Sequence, residues 1–370
     1  MQWTRREWIG GGIGLAIGAG PARSWADDPD LIVRNRRPLD AETPAEAFDR
    51  WSTPDRLFFV RSHFGPPAVG LSPWRLGLGG LIERQASLSL EDLRKDYEQV
   101  TVPAVAQCSG NGRAYFEPKV PGVAWGRGAV GNAEWGGVRL KDVLDRAGLK
   151  AKAAHVHLLG ADGPPNPKTP AFFRSIPLDR ALDAGTILAT TMNGADLPVL
   201  HGGPLRLVVP GWAANHWIKW LRSITVADAE APGFYMQTAY RLPRPGATRP
   251  DDLVPVTTLN VKSLIALPTT GARFPAGRVT LRGVAWTGPG RVASMDVSID
   301  SGPWAPAELH GPDHPGSWRL WRHPLDLKPG RHTLAARATD SHGHTQPDRT
   351  PWNKSGYLWN GIDRVTVDIA

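Results

Sequence analysis

The chain has 370 residues, with 43 lysines and arginines against 35 aspartates and glutamates, for a formal net charge of +8. That surplus suits an anionic substrate, an anionic cofactor or an acidic protein partner, while the lack of a Lys/Arg stripe or aromatic–basic repeat argues against a nucleic-acid reader. With 41 glycines and 35 prolines the chain is loop-rich, which excludes the long regular helices of an all-α protein, and its length suggests two domains.

The N-terminal run MQWTRREWIGGGIGLAIGAGPARSWA places Arg5 and Arg6 before a glycine-rich apolar stretch and ends on Ser24-Trp25-Ala26. This is the pattern of a twin-arginine leader over residues 1–26, cleaved after Ala26. Trp8 to Gly20 is too short and too rich in glycine to span a bilayer, which needs ~20 apolar residues. The expectation is therefore export to the periplasm in the folded state, often around a cofactor already loaded, with no stable membrane insertion after cleavage.

RLFFVRSHF (56–64) reads as a strand that puts Arg61 and His63, two residues apart, on one face. SLEDLRKDYEQ predicts a helix capped by Ser89, with Glu91 and Asp92 in its first turn. VPAVAQ is an apolar run that stops at Cys108, before a Gly-Asn-Gly turn. GVRLKDVLDRAGLK predicts a second helix with Leu140, Val143, Leu144 and Ala147 on one face and Gly148 as its stop. AHVHLLGAD, TILATTMNG, PLRLVVPG and IKWLRSITVAD read as short strands, so residues 27–250 form an α+β domain. RLPRPGATRPDDLVPVTT has the composition of a linker or strap and sets a boundary near residue 250. Beyond it RVTLRGVAW, VASMDVSID, SWRLWRHPL and HTLAARATD predict a β-sandwich over residues 251–370.

Cys108 is the only cysteine, so it makes no disulfide within the chain. Three fates remain from the local sequence: a small buried apolar residue, a covalent nucleophile, or a thiolate bound to a metal. Ligation would protect a reactive thiol from oxidation in an oxidising compartment. Basic residues border the apolar runs around it: Arg61 and His63, Arg113 five positions beyond the sulfur, then His201, Arg206, His216 and Lys219. Buried guanidiniums and ammoniums in such numbers suggest a site for a phosphate together with a small oxyanion.

At FFVRSHF, QCSGNGR, WGRGAVGNAEWGGVRLKDVL, MNGADLPVLHGGPLRLVVPGWAANHWIKWL and QPDRTPWNKSGYLWNGIDRVTV the sequence resembles the sulfite oxidase family of molybdenum enzymes, close to the bacterial periplasmic sulfite dehydrogenases. The resemblance spans nearly all of the chain after the leader. It implies a mixed α/β molybdopterin-binding domain followed by an immunoglobulin-like sandwich of the dimerisation type. It implies Cys108 as the thiolate ligand of molybdenum carried by molybdopterin. Arg61 and Arg113 would face the substrate oxyanion, Tyr240 would point its hydroxyl toward the metal centre, and Trp125 would line the substrate pocket. His63, His201, Arg206, Lys219 and Asp162 would hold the pterin and its phosphate. Soft thiolates suit a metal that changes oxidation state. One departure stands out. Where many members carry a third substrate arginine, this chain reads Trp352-Asn353-Lys354-Ser355-Gly356, with Ser355 at the arginine's place.

The implied activity is oxidation of sulfite to sulfate, with electrons passed one at a time to a separate c-type cytochrome and a homodimer as the expected assembly. No haem is expected in this chain, since one cysteine cannot make C-x-x-C-H and Asp313–Gly316 reads as a plain turn. The His155/His157 and His342/His344 pairs lack the further ligands a zinc site needs. The alternatives are a sulfane dehydrogenase of a thiosulfate-oxidising complex and, in a different class, an exported anion-binding protein without redox chemistry. Reductases of the same superfamily generally lack the second domain.

Overall fold

The computed structural model describes residues 30–67, 73–249 and 251–370. The leader expected at residues 1–26 lies outside the described residues. Among those residues no helix is long and apolar enough to cross a membrane.

The chain enters through the hairpin β1 (Ile32–Arg36) and β2 (Leu39–Glu42). Strands β3 (Arg75–Gly80) and β4 (Ala86–Ser89) lead into α1 (Leu90–Asp96), then β5 (Gln99–Gln107) and β6 (Val130–Arg139) lead into α2 (Leu140–Ala147). After β7 (His155–Gly160) and β8 (Phe173–Pro177) comes the single turn α3 (Leu178–Ala181), followed by β9 (Ile187–Met192), β10 (Ala195–Asp196), β11 (Arg206–Val208) and β12 (Leu221–Ala227). These strands build two five-stranded sheets. One runs β10-β9-β6-β5 with β11 also on β9, and the other runs β4-β3-β12-β7-β8. In the second, β12 pairs parallel with β3 and antiparallel with β7.

Both expected helices are present. Ser89 accepts from the Asp92 backbone while Asp92 accepts from the Ser89 backbone, so the two orphan donors at this end satisfy each other. α2 buries Leu140, Val143, Leu144 and Ala147, and Gly148 at φ +74° donates to the carbonyls of Leu144 and Asp145. The strand expected at 56–64 is absent. The segment instead makes a 3-10 turn at Asp55–Leu57, and its strand-like pairing is limited to the Val60–Ala41 bridge. Arg61 takes up a backbone acceptor there: its Nη1 donates to the Ser62 carbonyl at 2.7 Å and to Asp40 Oδ1 at 3.1 Å, so that carbonyl accepts from a side chain instead of a neighbouring strand.

A turn α4 (Phe234–Gln237) precedes the hairpin β13 (Arg241–Pro243) and β14 (Leu253–Pro255), which occupies the proline-rich stretch. Eight further strands follow: β15 (Lys262–Leu267), β16 (Ala272–Phe274), β17 (Gly277–Trp286), β18 (Val292–Ile299), β19 (Ala305–His310), β20 (Arg319–Leu327), β21 (Gly330–Asp340) and β22 (Asp363–Ile369). Their order is β15-β17-β20-β19-β18-β21-β22-β16. β19 joins the two layers, since its first half pairs with β18 and its second half with β20. Leu281, Trp321 and Leu325 from one layer meet Met295, Leu334 and Val367 from the other in the sandwich core.

A third apolar cluster joins the two parts of the chain: Phe48, Val105 and Val130 pack with Leu259, Leu264, Val284, Trp286 and Trp318. Polar ties reinforce it. Trp286 Nε1 donates to Gln107 Oε1 at 2.8 Å, and the Arg127 guanidinium meets Asp363 at 2.6 Å. The strand end that carries Cys108 is thus buttressed from the sandwich.

Candidate active site

β5 delivers the cysteine. Ala104, Val105 and Ala106 are buried, the ladder ends at Gln107, and Cys108 is the next residue. Its N–H donates to the Ala129 carbonyl at 3.0 Å, and its carbonyl accepts from Asn111 N at 2.9 Å, closing the turn. Gly112, at φ +88°, is required there twice over. The conformation is left-handed, and a β-carbon would lie 2.6 Å from the Trp359 ring.

Cys108 opens onto a cavity with an empty volume of about 720 Å³, its mouth included. Arg61, His63, Asp162, His201, Arg206, Lys219 and Tyr240 all line it. Eight of the residues expected at the site, counting Cys108, therefore meet in one place although they come from distant segments. Two stand off the wall. Trp125 is fully buried in the first core, where its carbonyl accepts from Ala114 N at 2.9 Å. Arg113 points across to the second domain: Nε donates to the Ser355 carbonyl at 3.1 Å, Nη1 to the Val123 carbonyl at 3.1 Å, and the guanidinium lies 5.4 Å from the Tyr357 ring centre. Arg113 still acts on the thiol through its charge. Burial raises the Cys108 pKa, and Arg61 and Arg113 oppose that rise.

The cavity has two ends of different chemistry. At the first, Arg61 is braced by Asp40, and the Tyr240 hydroxyl lies 3.0 Å from His63 Nε2. Burial works against the Arg61 charge, but Tyr240, Asp40 and Cys108 hold its pKa above the ordinary arginine range. Burial, helped by Arg61, Arg174 and Lys219, pushes His63 down to about 2, so the imidazole is neutral. Its ring stacks on Phe172 at 4.2 Å. Burial also raises the Tyr240 pKa, so the phenol keeps its proton.

At the second end Arg206 donates to the carbonyls of His201 (2.7 Å) and Trp217 (3.3 Å), with its guanidinium 4.8 Å from the Trp135 ring centre. Burial alone lowers its pKa to about 9. Lys219 donates to the Leu200 carbonyl at 3.0 Å, and burial together with repulsion from Arg206 lowers it to about 7. Burial raises Asp162 to about 6, against the pull of Lys219, and lowers His201 to about 4. Among the described residues neither Arg206 nor Lys219 forms an ion pair. Both hydrogen-bond only to neutral carbonyls, and Lys219 feels the Asp162 and Asp40 carboxyls without direct pairing, so the pair favours an anion brought from outside. A thiol at one end and two such cations at the other fit a metal held by sulfur and an attached phosphate.

Sequence reasoning missed several neighbours. Phe172, Arg174, Tyr235 and Tyr357 surround the Tyr240–His63 pair, and Asp40 braces the neighbouring Arg61. Asp40 and Tyr357 come from opposite ends of the chain, so no local pattern could announce them.

The description "Oxidoreductase molybdopterin binding domain" matches residues 63–235, and "Mo-co oxidoreductase dimerisation domain" matches residues 254–370. The chain is 37% identical to sulfite oxidase of Gallus gallus over 353 residues, covering 89% of this chain and 76% of that one. It is 32% identical to sulfite oxidase of Arabidopsis thaliana, covering 92% of this chain and 95% of that protein. Among solved structures, the sulfane dehydrogenase SoxCD from Paracoccus pantotrophus superposes with a TM-score of 0.77 at 26% identity, over 97% of this chain and 96% of that chain.

Proposed function

Because the chain belongs to the sulfite oxidase family and is a molybdenum oxidoreductase acting on sulfur compounds, we propose that it oxidises sulfite to sulfate and passes the electrons singly to a separate c-type cytochrome. The reading extends to a homodimer built on the sandwich and working in the periplasm. One observation carries it: a lone thiol shares a cavity with a braced guanidinium and a phenol–imidazole pair at one end and two cations without ion-pair partners at the other.

When bound, the molybdenum cofactor supplies the two-electron, oxygen-transfer chemistry. Cys108 would hold the metal, and Arg206, Lys219 and His201 would hold the phosphate-bearing pterin. Arg61 and Tyr240 would act on the substrate. Arg61, fixed by Asp40 and the Ser62 carbonyl, offers a pre-oriented guanidinium to an oxyanion. The Tyr240 hydroxyl shares a 3.0 Å hydrogen bond with neutral His63 and would turn its proton toward charge that develops on an oxygen in the cavity. Phe172 and Tyr235 hold the imidazole in place and keep water from its faces.

A second reading, oxidation of a protein-bound sulfane sulfur, has two supports: the superposition on SoxCD and the serine at position 355, which gives Arg113 a carbonyl but the cavity no charge. Turnover separates the two. Protein carrying about one molybdenum per chain should reduce ferricyanide or cytochrome c with free sulfite. Full metal loading without such turnover would remove the sulfite reading. Absence of molybdenum from properly matured protein would leave an anion binder.

A further inference from the structure

Arg174 is a buried guanidinium that the substrate scheme above does not use. It sits on β8, fully buried, with no ion pair among the described residues; the nearby Glu230 pairs instead with Arg241. Its Nε has no hydrogen-bond partner. Nη1 donates to the Tyr235 carbonyl, and Nη2 donates to His216 Nε2 at 2.9 Å. Burial lowers its pKa to about 10, so it remains charged at neutral pH. A charge without a counterion in the core is costly unless something else uses it.

Two features say what uses it. Its guanidinium carbon lies 5.4 Å from the Tyr240 ring centre, Tyr240 stacks on Tyr357 at 5.3 Å with planes 13° apart, and Arg113 lies 5.4 Å from Tyr357. Two cations thus clamp two phenols, one of which carries the hydroxyl at the anion end of the cavity. The Asn215 amide, turned with its oxygen toward Arg174, accepts from Nη2 at 2.8 Å and donates to Ser109 Oγ at 2.6 Å, beside Cys108. Asn215 and Ser109 both line the cavity. Arg174 therefore stands one side chain behind the wall on two sides.

We propose that Arg174 is a positioning residue that brings a third positive charge to the oxyanion site through Tyr240 and Asn215, where Ser355 contributes none. The inference rests on the oxyanion reading of this cavity. It makes no contact with the substrate. It orients the phenol and the amide, and it adds to the field that Arg61 and Arg113 set up.

The test compares wild type, Arg174→Lys and Arg174→Gln as molybdenum-loaded protein, with sulfate affinity by calorimetry and steady-state kinetics with sulfite. Removing one charge behind the wall should weaken sulfate binding and raise KM about tenfold in the Gln variant, with kcat changed much less. The Lys variant should recover sulfate binding to within about threefold of wild type. A Gln variant with unchanged sulfate affinity and KM but a lower melting temperature would make Arg174 purely structural and overturn the proposal. So would a Lys variant no better than Gln, or a wild type that binds no sulfate. If the Gln variant does not fold, the Lys variant decides: affinity kept supports the proposal, and affinity lost despite the retained charge refutes it. Wild type that binds sulfate but does not turn over sulfite would sink the sulfite reading and leave the Arg174 comparison intact.

Discussion

Lys219 gives a prediction in which stability and function move in opposite directions. Burial and Arg206 lower its pKa from 10.5 to about 7. At ~1.4 kcal/mol per pKa unit that drop corresponds to at most about 5 kcal/mol of penalty on the charged, cofactor-free protein. The side chain is not fully enclosed, so screening by cavity water leaves about 2 kcal/mol as the expected figure. The penalty is complete below pH 7, where lysine is charged both folded and unfolded. It shrinks as pH rises from about 7 toward 10.5, where the folded protein gives up the proton first. Lys219→Met keeps the side-chain length and removes the charge. Leu200, whose carbonyl loses its donor, is 41% exposed, so water would take the donor's place. In cofactor-free protein at pH 6 the variant should melt about 3 °C above wild type, by calorimetry or fluorescence. The advantage should vanish by about pH 10.5. Cofactor retention should fall, since a phosphate would lose the cation held for it. A variant that melts below wild type at pH 6, or whose advantage is the same at both pH values, would refute the account of Lys219 as a strained cation.

Three further outcomes follow from named contacts. Cys108→Ser should fold within about 1 kcal/mol of wild type but lose its molybdenum and its turnover, measured by elemental analysis and sulfite assay, because a hard hydroxyl is a poor ligand for a thiolate-bound metal. Tyr240→Phe removes the hydroxyl 3.0 Å from His63; kcat should drop about 10- to 100-fold with KM little changed, as steady-state kinetics would show. Asp363→Asn leaves Arg127 without its charged partner at 2.6 Å and takes away the carboxylate that favours the charged form of buried Lys262. Chemical denaturation should show a loss of about 3 kcal/mol while sulfite KM stays unchanged, because the pair lies away from the cavity.

Much of the scaffold is readable in the sequence because short-range rules govern it. The α2 stripe and its Gly148 stop, the Ser89 cap and the apolar run ending at Cys108 each depend on neighbours a few positions away. The misread strand at 56–64 shows where such rules fail. Two aromatics and a valine before Arg61 look like one buried face, but the Ser62 carbonyl accepts from the Arg61 guanidinium rather than from a neighbouring strand. Trp125 fails differently. A tryptophan beside a cavity and one sealed in the core have the same local sequence, and only packing distinguishes them. Arg174 had no signal at all, since an arginine on a strand is ordinarily a solvated residue.

What sequence order conceals most is how far the sandwich takes part in the site. Leu358 N donates to the Ser109 carbonyl at 2.8 Å, the Ser355 carbonyl accepts from Arg113, and Tyr357 stacks on Tyr240. Asn353 holds that turn by accepting from Tyr357 N and donating to its carbonyl, both at 3.0 Å. Every one of these contacts comes from residues 353–358, yet they settle the aim of a guanidinium and a phenol that belong to the other domain. Ser355 therefore differs in more than charge from the arginine that the family resemblance puts at its place. The same turn supplies the aromatic ring against which Tyr240 rests, and the Arg174 guanidinium lies 5.4 Å from the Tyr240 ring centre. A serine in that turn and an arginine on β8 are two halves of one arrangement, and a change at either should be felt at the hydroxyl between them.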